Sequence, residues 1–150
     1  MLTLELLPIV RRRVVNVASA AQSPIDFDDP MLERWWDGFR AYAQSKLAQV
    51  MFTFELAERL GPRGPAVNAL HPASLMDTKM VRDMFGRART SVDEGALATL
   101  RLIVDAEGVT GRYFEGTREA GAHRKAYDRK ARRRLWELSE RLAPGAARAA

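Results

Sequence analysis

Arg13-Val14-Val15-Asn16-Val17-Ala18 is a β-branched and nearly unbroken apolar run. A run of that length without alternation suits a strand buried on both faces of a parallel sheet. A second such run, Ala66-Val67-Asn68-Ala69-Leu70, ends at His71-Pro72. Between them, residues 39–60 place Leu47, Val50, Met51, Phe54 and Ala57 at three- and four-residue intervals, the spacing of one helix face. Gly61-Pro62-Arg63-Gly64-Pro65 then stops that helix. Strand, long helix and strand together predict a right-handed βαβ unit.

Outward from this unit the pattern continues. Residues 2–10 read as the end of an amphipathic helix whose beginning is absent. Residues 23–37 are a polar loop rich in proline and acids, with Trp35 and Trp36 near its end. Residues 78–85 predict a short helix, and Ser91 with Glu94 three residues on predicts a capping box for a helix reaching about Val104. Arg112-Tyr113-Phe114 is a short third strand, residues 128–142 a closing helix, and residues 143–150 a disordered Ala-rich tail. The expected fold class is α/β: a partial doubly wound, Rossmann-like parallel sheet, the second half only, with about three strands and flanking helices in one domain. A strand edge that should be central would then lie open.

Composition narrows the function classes. A chain of 150 residues, 47 % apolar and 29 % charged, can bury a core and is not a disordered chain. No apolar run approaches the ~20 residues of a membrane span. Glu5 interrupts the apolar start and arginines follow it, the reverse of a signal peptide. The chain has no cysteine, and His71 and His123 are too few for a zinc cluster, so no metal is expected and a cytoplasmic location is. The net charge of +5 gathers near the C-terminus, in Arg118, Arg124, Lys125, Arg129, Lys130, Arg132, Arg133 and Arg134. Aromatic residues are not interleaved there as a nucleic-acid stacking platform requires. The solvated face of a terminal helix is the preferred reading, and no nucleic-acid partner is expected.

Tyr42-Ala43-Gln44-Ser45-Lys46 sets a phenol and an ammonium four residues apart, stacked on one helix face. A neighbouring positive charge favours a phenolate, which makes such a pair a proton donor and acceptor. Tyr-x-x-x-Lys alone is common. Here it follows Asn16-Val17-Ala18-Ser19-Ala20-Ala21 and precedes Asn68-Ala69-Leu70-His71-Pro72-Ala73. In that order and strand-helix-strand context, the set resembles the second half of a short-chain dehydrogenase/reductase, over the chain to about Gly116. The long interval from Ser19 to Tyr42, holding Ile25-Asp26-Phe27-Asp28-Asp29, is similar to the retinol dehydrogenase and protochlorophyllide reductase-like branch. So are Ser45-Lys46-Leu47-Ala48 and Phe52-Thr53-Phe54-Glu55-Leu56-Ala57.

The resemblance implies an NAD(P)-dependent oxidoreductase acting on a carbonyl or alcohol. Ser19 would donate to the substrate oxygen, Tyr42 would be the acid/base, and Lys46 would hold the ribose hydroxyls and favour the phenolate. Pro72, Ala73, Ser74 and Thr78 would lie against the nicotinamide, with Tyr42 and Lys46 completing the cofactor contacts. The cofactor is NADP or NAD, because the residues that choose between them are not in this chain. The substrate is expected to be apolar, and a homo-oligomer would form through the Tyr42 helix. Trp35, Trp36 and Phe39 either line a substrate mouth or pack on the domain. Met76, Met80, Met84 and Phe85 form either a lid or ordinary core. His71 is expected to be structural.

Departures from the family pattern are equally visible. No Gly-x-x-x-Gly-x-Gly turn and no Asn-Asn-Ala-Gly strand occur in the chain. Ala73 stands where a glycine is usual, and Thr78 lies one position late. One alternative is therefore a truncated, inactive fragment. A remote alternative is a basic binding module for nucleic acid or an acidic partner.

Overall fold

A computed structural model describes residues 2–106 and 108–143, so the tail expected over 143–150 lies outside the described residues except for Ala143. The elements run α1 (Leu2–Leu6), β1 (Arg13–Val17), α2 (Gly38–Leu60), β2 (Ala66–His71), α3 (Lys79–Phe85) and α4 (Val92–Val104). They continue with β3 (Tyr113–Glu115), β4 (Arg118–Ala120), a 3-10 turn (Arg124–Tyr127) and α5 (Arg129–Leu142). The sheet has strand order β1-β2-β3-β4. β1, β2 and β3 are parallel, with Val14 opposite Val67 and Leu70 opposite Phe114.

Two expectations are corrected here. Among the described residues the sheet has four strands rather than about three, and it is mixed, because β4 returns antiparallel to β3. Arg118-Glu119-Ala120 carries no apolar pattern, being exposed at Arg118 and Glu119 and paired on one side only. Its pairing comes from the tight return at Gly116, whose φ of 57° suits glycine. The α/β class and the partial Rossmann-like arrangement hold.

Side-chain alternation assigns the layers. Val14 and Asn16 of β1 face α2: Val14 joins the cluster of Leu56, Val67 and Trp136, and Asn16 donates to the Thr53 hydroxyl at 2.8 Å. Ala69 of β2 meets Leu47, Val50, Met51 and Phe54 on that same face. Arg13, pointing the other way, donates to the Leu102 carbonyl of α4 at 3.1 Å. α2 and α5 therefore cover one face and α4 the other. α2 starts at the Asp37 cap, which accepts from the Arg40 amide, and ends where Gly61 turns at φ 63°.

The basic C-terminal stretch is only partly a solvated face. Arg132 is 7 % exposed and reaches Glu55 at 3.5 Å and Glu58 at 2.5 Å. Trp136 stacks on Phe52 with centroids 5.6 Å apart, and the Arg59 guanidinium lies 4.1 Å from the Trp136 ring. α5 is thus docked by its own Arg132, by the Trp136 stack and by the Arg59 cation of α2.

Candidate active site

The carboxyl ends of β1 and β2 are neighbours because the two strands are parallel and adjacent. Whatever follows them emerges at the same edge of the sheet, where ligands of open α/β sheets sit. Ser19 follows β1, Pro72, Ala73, Ser74 and Thr78 follow β2, and Tyr42 lies in the second turn of α2.

Ser19 is buried at 7 % exposure, one residue past Ala18, whose amide still continues the ladder to the Leu70 carbonyl at 2.7 Å. Its hydroxyl oxygen accepts from the Ala21 amide at 3.1 Å. A hydroxyl fixed as an acceptor by one backbone N–H keeps its own O–H for another oxygen.

Tyr42 and Lys46 are both half-buried. The Lys46 ammonium lies 5.5 Å from the Tyr42 ring centroid. It donates to the Val17 carbonyl at 3.2 Å and to Gln49 Oε1 at 3.1 Å. An ammonium has three donors, so one N–H remains for a further acceptor. Burial pulls the Lys46 pKa below its ordinary value. Among the described residues no hydrogen bond joins Ser19 to Tyr42. Lys46 connects them, since Val17 stands two residues before Ser19.

Residues 72–78 are held from several sides. His71 Nε2 and the Ser74 hydroxyl are 3.0 Å apart. Burial holds the imidazole below its ordinary pKa, against an opposing pull from Glu115. The Thr90 hydroxyl donates to the Ser74 carbonyl at 2.9 Å, and the Asp77 amide to the Thr90 carbonyl at 2.9 Å. Thr78 caps α3 by accepting from the Val81 amide. Met76 presses against Gly95 of α4, where a Cβ would lie 2.3 Å from its sulfur. Met76 is therefore packed, whereas Met80, Met84 and Phe85 are exposed.

The long loop between β1 and α2 is built, not loose. Buried Gln44 accepts from the Asp26 amide at 3.0 Å and donates to the Pro30 carbonyl at 3.1 Å. Asp29 accepts from the Glu33 and Arg34 amides at 2.9 and 3.0 Å. The loop leads into Trp35, Trp36 and Phe39, which are 64 %, 69 % and 57 % exposed. Those exposures decide against packing on the domain.

Three residues near the site were not singled out from sequence. Tyr113, 1 % exposed, brings its hydroxyl to 3.2 Å from the Ser19 carbonyl and 3.2 Å from Glu115 Oε1. Burial first, and then the Glu115 charge, pushes its phenol far above the ordinary range. Gln22 donates to the same Ser19 carbonyl at 2.9 Å. Gln44 is the third. A buried tyrosine usually finds a partner for its hydroxyl, which is the signal that Tyr113 offered.

The residues fit one side of a dinucleotide: a lysine with a spare donor, a neighbouring phenol and the loop after β2. The pyrophosphate cradle of a glycine-rich turn has no counterpart in this sequence.

Known proteins similar to this chain bear on its family and its fold. No family model matches the chain. It is 36 % identical to retinol dehydrogenase 13 of Mus musculus, over 87 % of this chain and 45 % of the relative. It is 35 % identical to the human dehydrogenase/reductase SDR family member 13, over 95 % of this chain and 44 % of the relative. A solved structure of an uncharacterized protein from Mycobacterium paratuberculosis superposes with a TM-score of 0.71 at 30 % identity, covering 94 % of this chain and 53 % of that one. The chain thus spans about half the length of the curated relatives it matches.

Proposed function

Taking the chain as a relative of the short-chain dehydrogenases/reductases, we propose that it carries the proton-handling side of an NAD(P)-dependent oxidoreductase. Tyr42 passes its phenolic proton to a carbonyl oxygen as hydride reaches the carbon, and takes it back in alcohol oxidation. The Ser19 hydroxyl donates to that oxygen, where negative charge develops. Lys46 holds ribose hydroxyls with its remaining N–H and keeps a positive charge beside the phenol. Pro72, Ala73, Ser74 and Thr78 border the nicotinamide, which supplies or accepts the hydride when NADP or NAD is bound. Trp35, Trp36, Phe39, Met80, Met84 and Phe85 are exposed on segments that follow β1 and β2 in the chain, which favours an apolar substrate such as a retinoid aldehyde.

The observation that carries this reading is the Lys46 ammonium set between the end of β1 and the Tyr42 ring. The test is oxidation of NADPH and of NADH by the chain with retinal. Turnover lost in Tyr42→Phe, with the circular dichroism unchanged, supports it; turnover indifferent to Tyr42→Phe refutes it.

A second reading, that the chain is inactive alone, draws on the β1 edge. Among the described residues no strand pairs the outer side of β1. Leu97, Leu100, Ile103 and Val104 of α4 and Val17 of β1 are also exposed. An unpaired edge beside an apolar face is where further strands and helices would dock. Turnover that appears only when the glycine-rich half of a relative is added in trans would favour it.

A further inference from the structure

Ser19 lies at a chain position that nothing local to β1 would keep still. β1 has ended at Val17, and the following residues enter a long loop. Yet the Ser19 carbonyl receives two donors from elsewhere. Gln22 Nε2 donates at 2.9 Å, and the Tyr113 hydroxyl, arriving from 94 positions along the chain, stands at 3.2 Å and shares its one proton with Glu115 Oε1, also at 3.2 Å. Gln22 is itself held: its Oε1 accepts from the His123 amide at 2.9 Å. Ser19 is thus gripped from β3 and from the segment after β4, the hairpin that the sequence pattern did not reveal.

We propose that Tyr113 and Gln22 are positioning residues that fix the Ser19 main chain, so that the Ser19 hydroxyl is aimed at the reacting oxygen. This inference rests on the role proposed above for Ser19. The geometry gives a physical reason. With its carbonyl pinned, Ser19 cannot rotate its peptide, and the Ala21 amide then finds the Ser19 hydroxyl oxygen at 3.1 Å. That bond orients the hydroxyl, and a small misplacement of such a donor is costly to the rate. Tyr113 suits the task because its ring is fully buried in the cluster of Leu47, Met51 and Ala69 while only its oxygen reaches the site. A phenol whose ionisation is opposed by burial and by Glu115 stays a donor at every ordinary pH.

Tyr113→Phe removes the hydroxyl and keeps the ring in its pocket. Gln22→Met, at a half-buried loop position, loosens the same carbonyl without touching the core. Amide exchange of the chain by NMR reads the grip directly. Each variant should raise exchange at Ala21 about fivefold, the worth of one ordinary hydrogen bond, with Val67, Asn68 and Ala69 of β2 unchanged. With NADPH and retinal, each should also lower kcat while leaving KM for NADPH in place. Unchanged exchange at Ala21 in both variants would overturn the proposal, as would a rise shared equally by β2. A local rise at Ala21 with kcat and KM for NADPH falling together, or neither moving in an active chain, would overturn it as well. If the chain shows no turnover, the functional reading fails by itself, and the exchange measurement alone decides the grip on Ser19.

Discussion

The Lys46 ammonium stands 5.5 Å from the centre of the Tyr42 ring and donates to the carbonyl of Val17 at 3.2 Å. One cation therefore does two things: it docks the third turn of α2 onto the end of β1, and it sets a positive charge beside the phenol. Fold and chemistry converge on a single side chain, and burial makes that charge less comfortable than it would be in water.

Replacing Lys46 should cost activity more than stability. Lys46→Met removes the charge and the donor to a cofactor hydroxyl, and kcat should fall about a hundredfold or more. Lys46→Arg keeps the charge but offers a planar fork in place of a compact ammonium, and should recover only part of the loss. Steady-state kinetics at saturating NADPH, with a thermal melt as control, checks both. A Lys46→Met variant as active as the parent would remove Lys46 from the mechanism.

Arg132 and Arg133 are neighbours in sequence with opposite fates. Arg132 is buried against Glu55 and Glu58, whereas Arg133 is exposed. Removing one partner of a buried ion pair leaves an uncompensated charge and costs about 3 kcal/mol or more. Arg133→Ala should lie within about 0.5 kcal/mol of the parent. Urea unfolding of the two alanine variants measures the difference, and equal stabilities would mean that the pair contributes nothing.

His71 gives a pH dependence with a definite sign. Its folded pKa is depressed, first by burial and against the pull of Glu115. Below the unfolded value of about 6.5, the unfolded chain takes up this proton before the folded one. The contribution is therefore complete above that value and is lost as pH falls through the folded pKa. His71→Gln should narrow the gap in melting temperature between pH 7.5 and pH 5.5. A gap that stays the same in the variant would show that other groups cause it.

Trp35 and Trp36 test the substrate side. Both are mostly exposed, so their replacement by alanine should leave stability within about 0.5 kcal/mol. The KM for retinal should rise several-fold in the double variant while the KM for NADPH holds. Unaltered kinetics for retinal would place the apolar mouth elsewhere.

Much of this was legible in the sequence, because strong local patterns and tertiary packing agreed. The apolar run ending at Leu70, the periodic α2 face and the Ser91–Glu94 capping box took the predicted form, whereas the run ending at Ala18 became a strand that is only half-buried, with Val17 exposed. What stayed hidden depends on long-range pairing. β4 has no apolar alternation because it lies at a sheet edge. Arg132 reads as one more surface cation until Glu55 and Glu58, more than 70 positions away, are seen to meet it. Tyr113 reads as an ordinary strand aromatic, and its tie to Ser19 spans 94 positions. Sequence order places Ser19, Tyr42 and Lys46 on their elements, but the linkage through the Val17 carbonyl is a tertiary fact.

Gly95 offers the sharpest test of how the loop after β2 is held. A Cβ at this position would stand 2.3 Å from the sulfur of Met76, while its contacts to Met76 Cε and Pro72 Cβ, both 3.5 Å, are ordinary. The sulfur sits mid-chain and cannot simply swing aside, so Gly95→Ala must push Met76 and the loop from Pro72 away from α4. Overpacking of this kind costs about 1–3 kcal/mol. In a helix interior, however, alanine is better than glycine by about 1 kcal/mol. Met76→Ala removes the obstacle, so in that background Gly95→Ala should reverse sign and stabilise the chain by about 1 kcal/mol. A double-mutant cycle by urea unfolding therefore predicts a coupling of about 1–3 kcal/mol, the overpacking cost itself, between two residues 19 positions apart in sequence. Additive effects would mean that α4 does not press on Met76, and that the loop bordering the proposed nicotinamide site owes its place to the Thr90 and His71 hydrogen bonds alone.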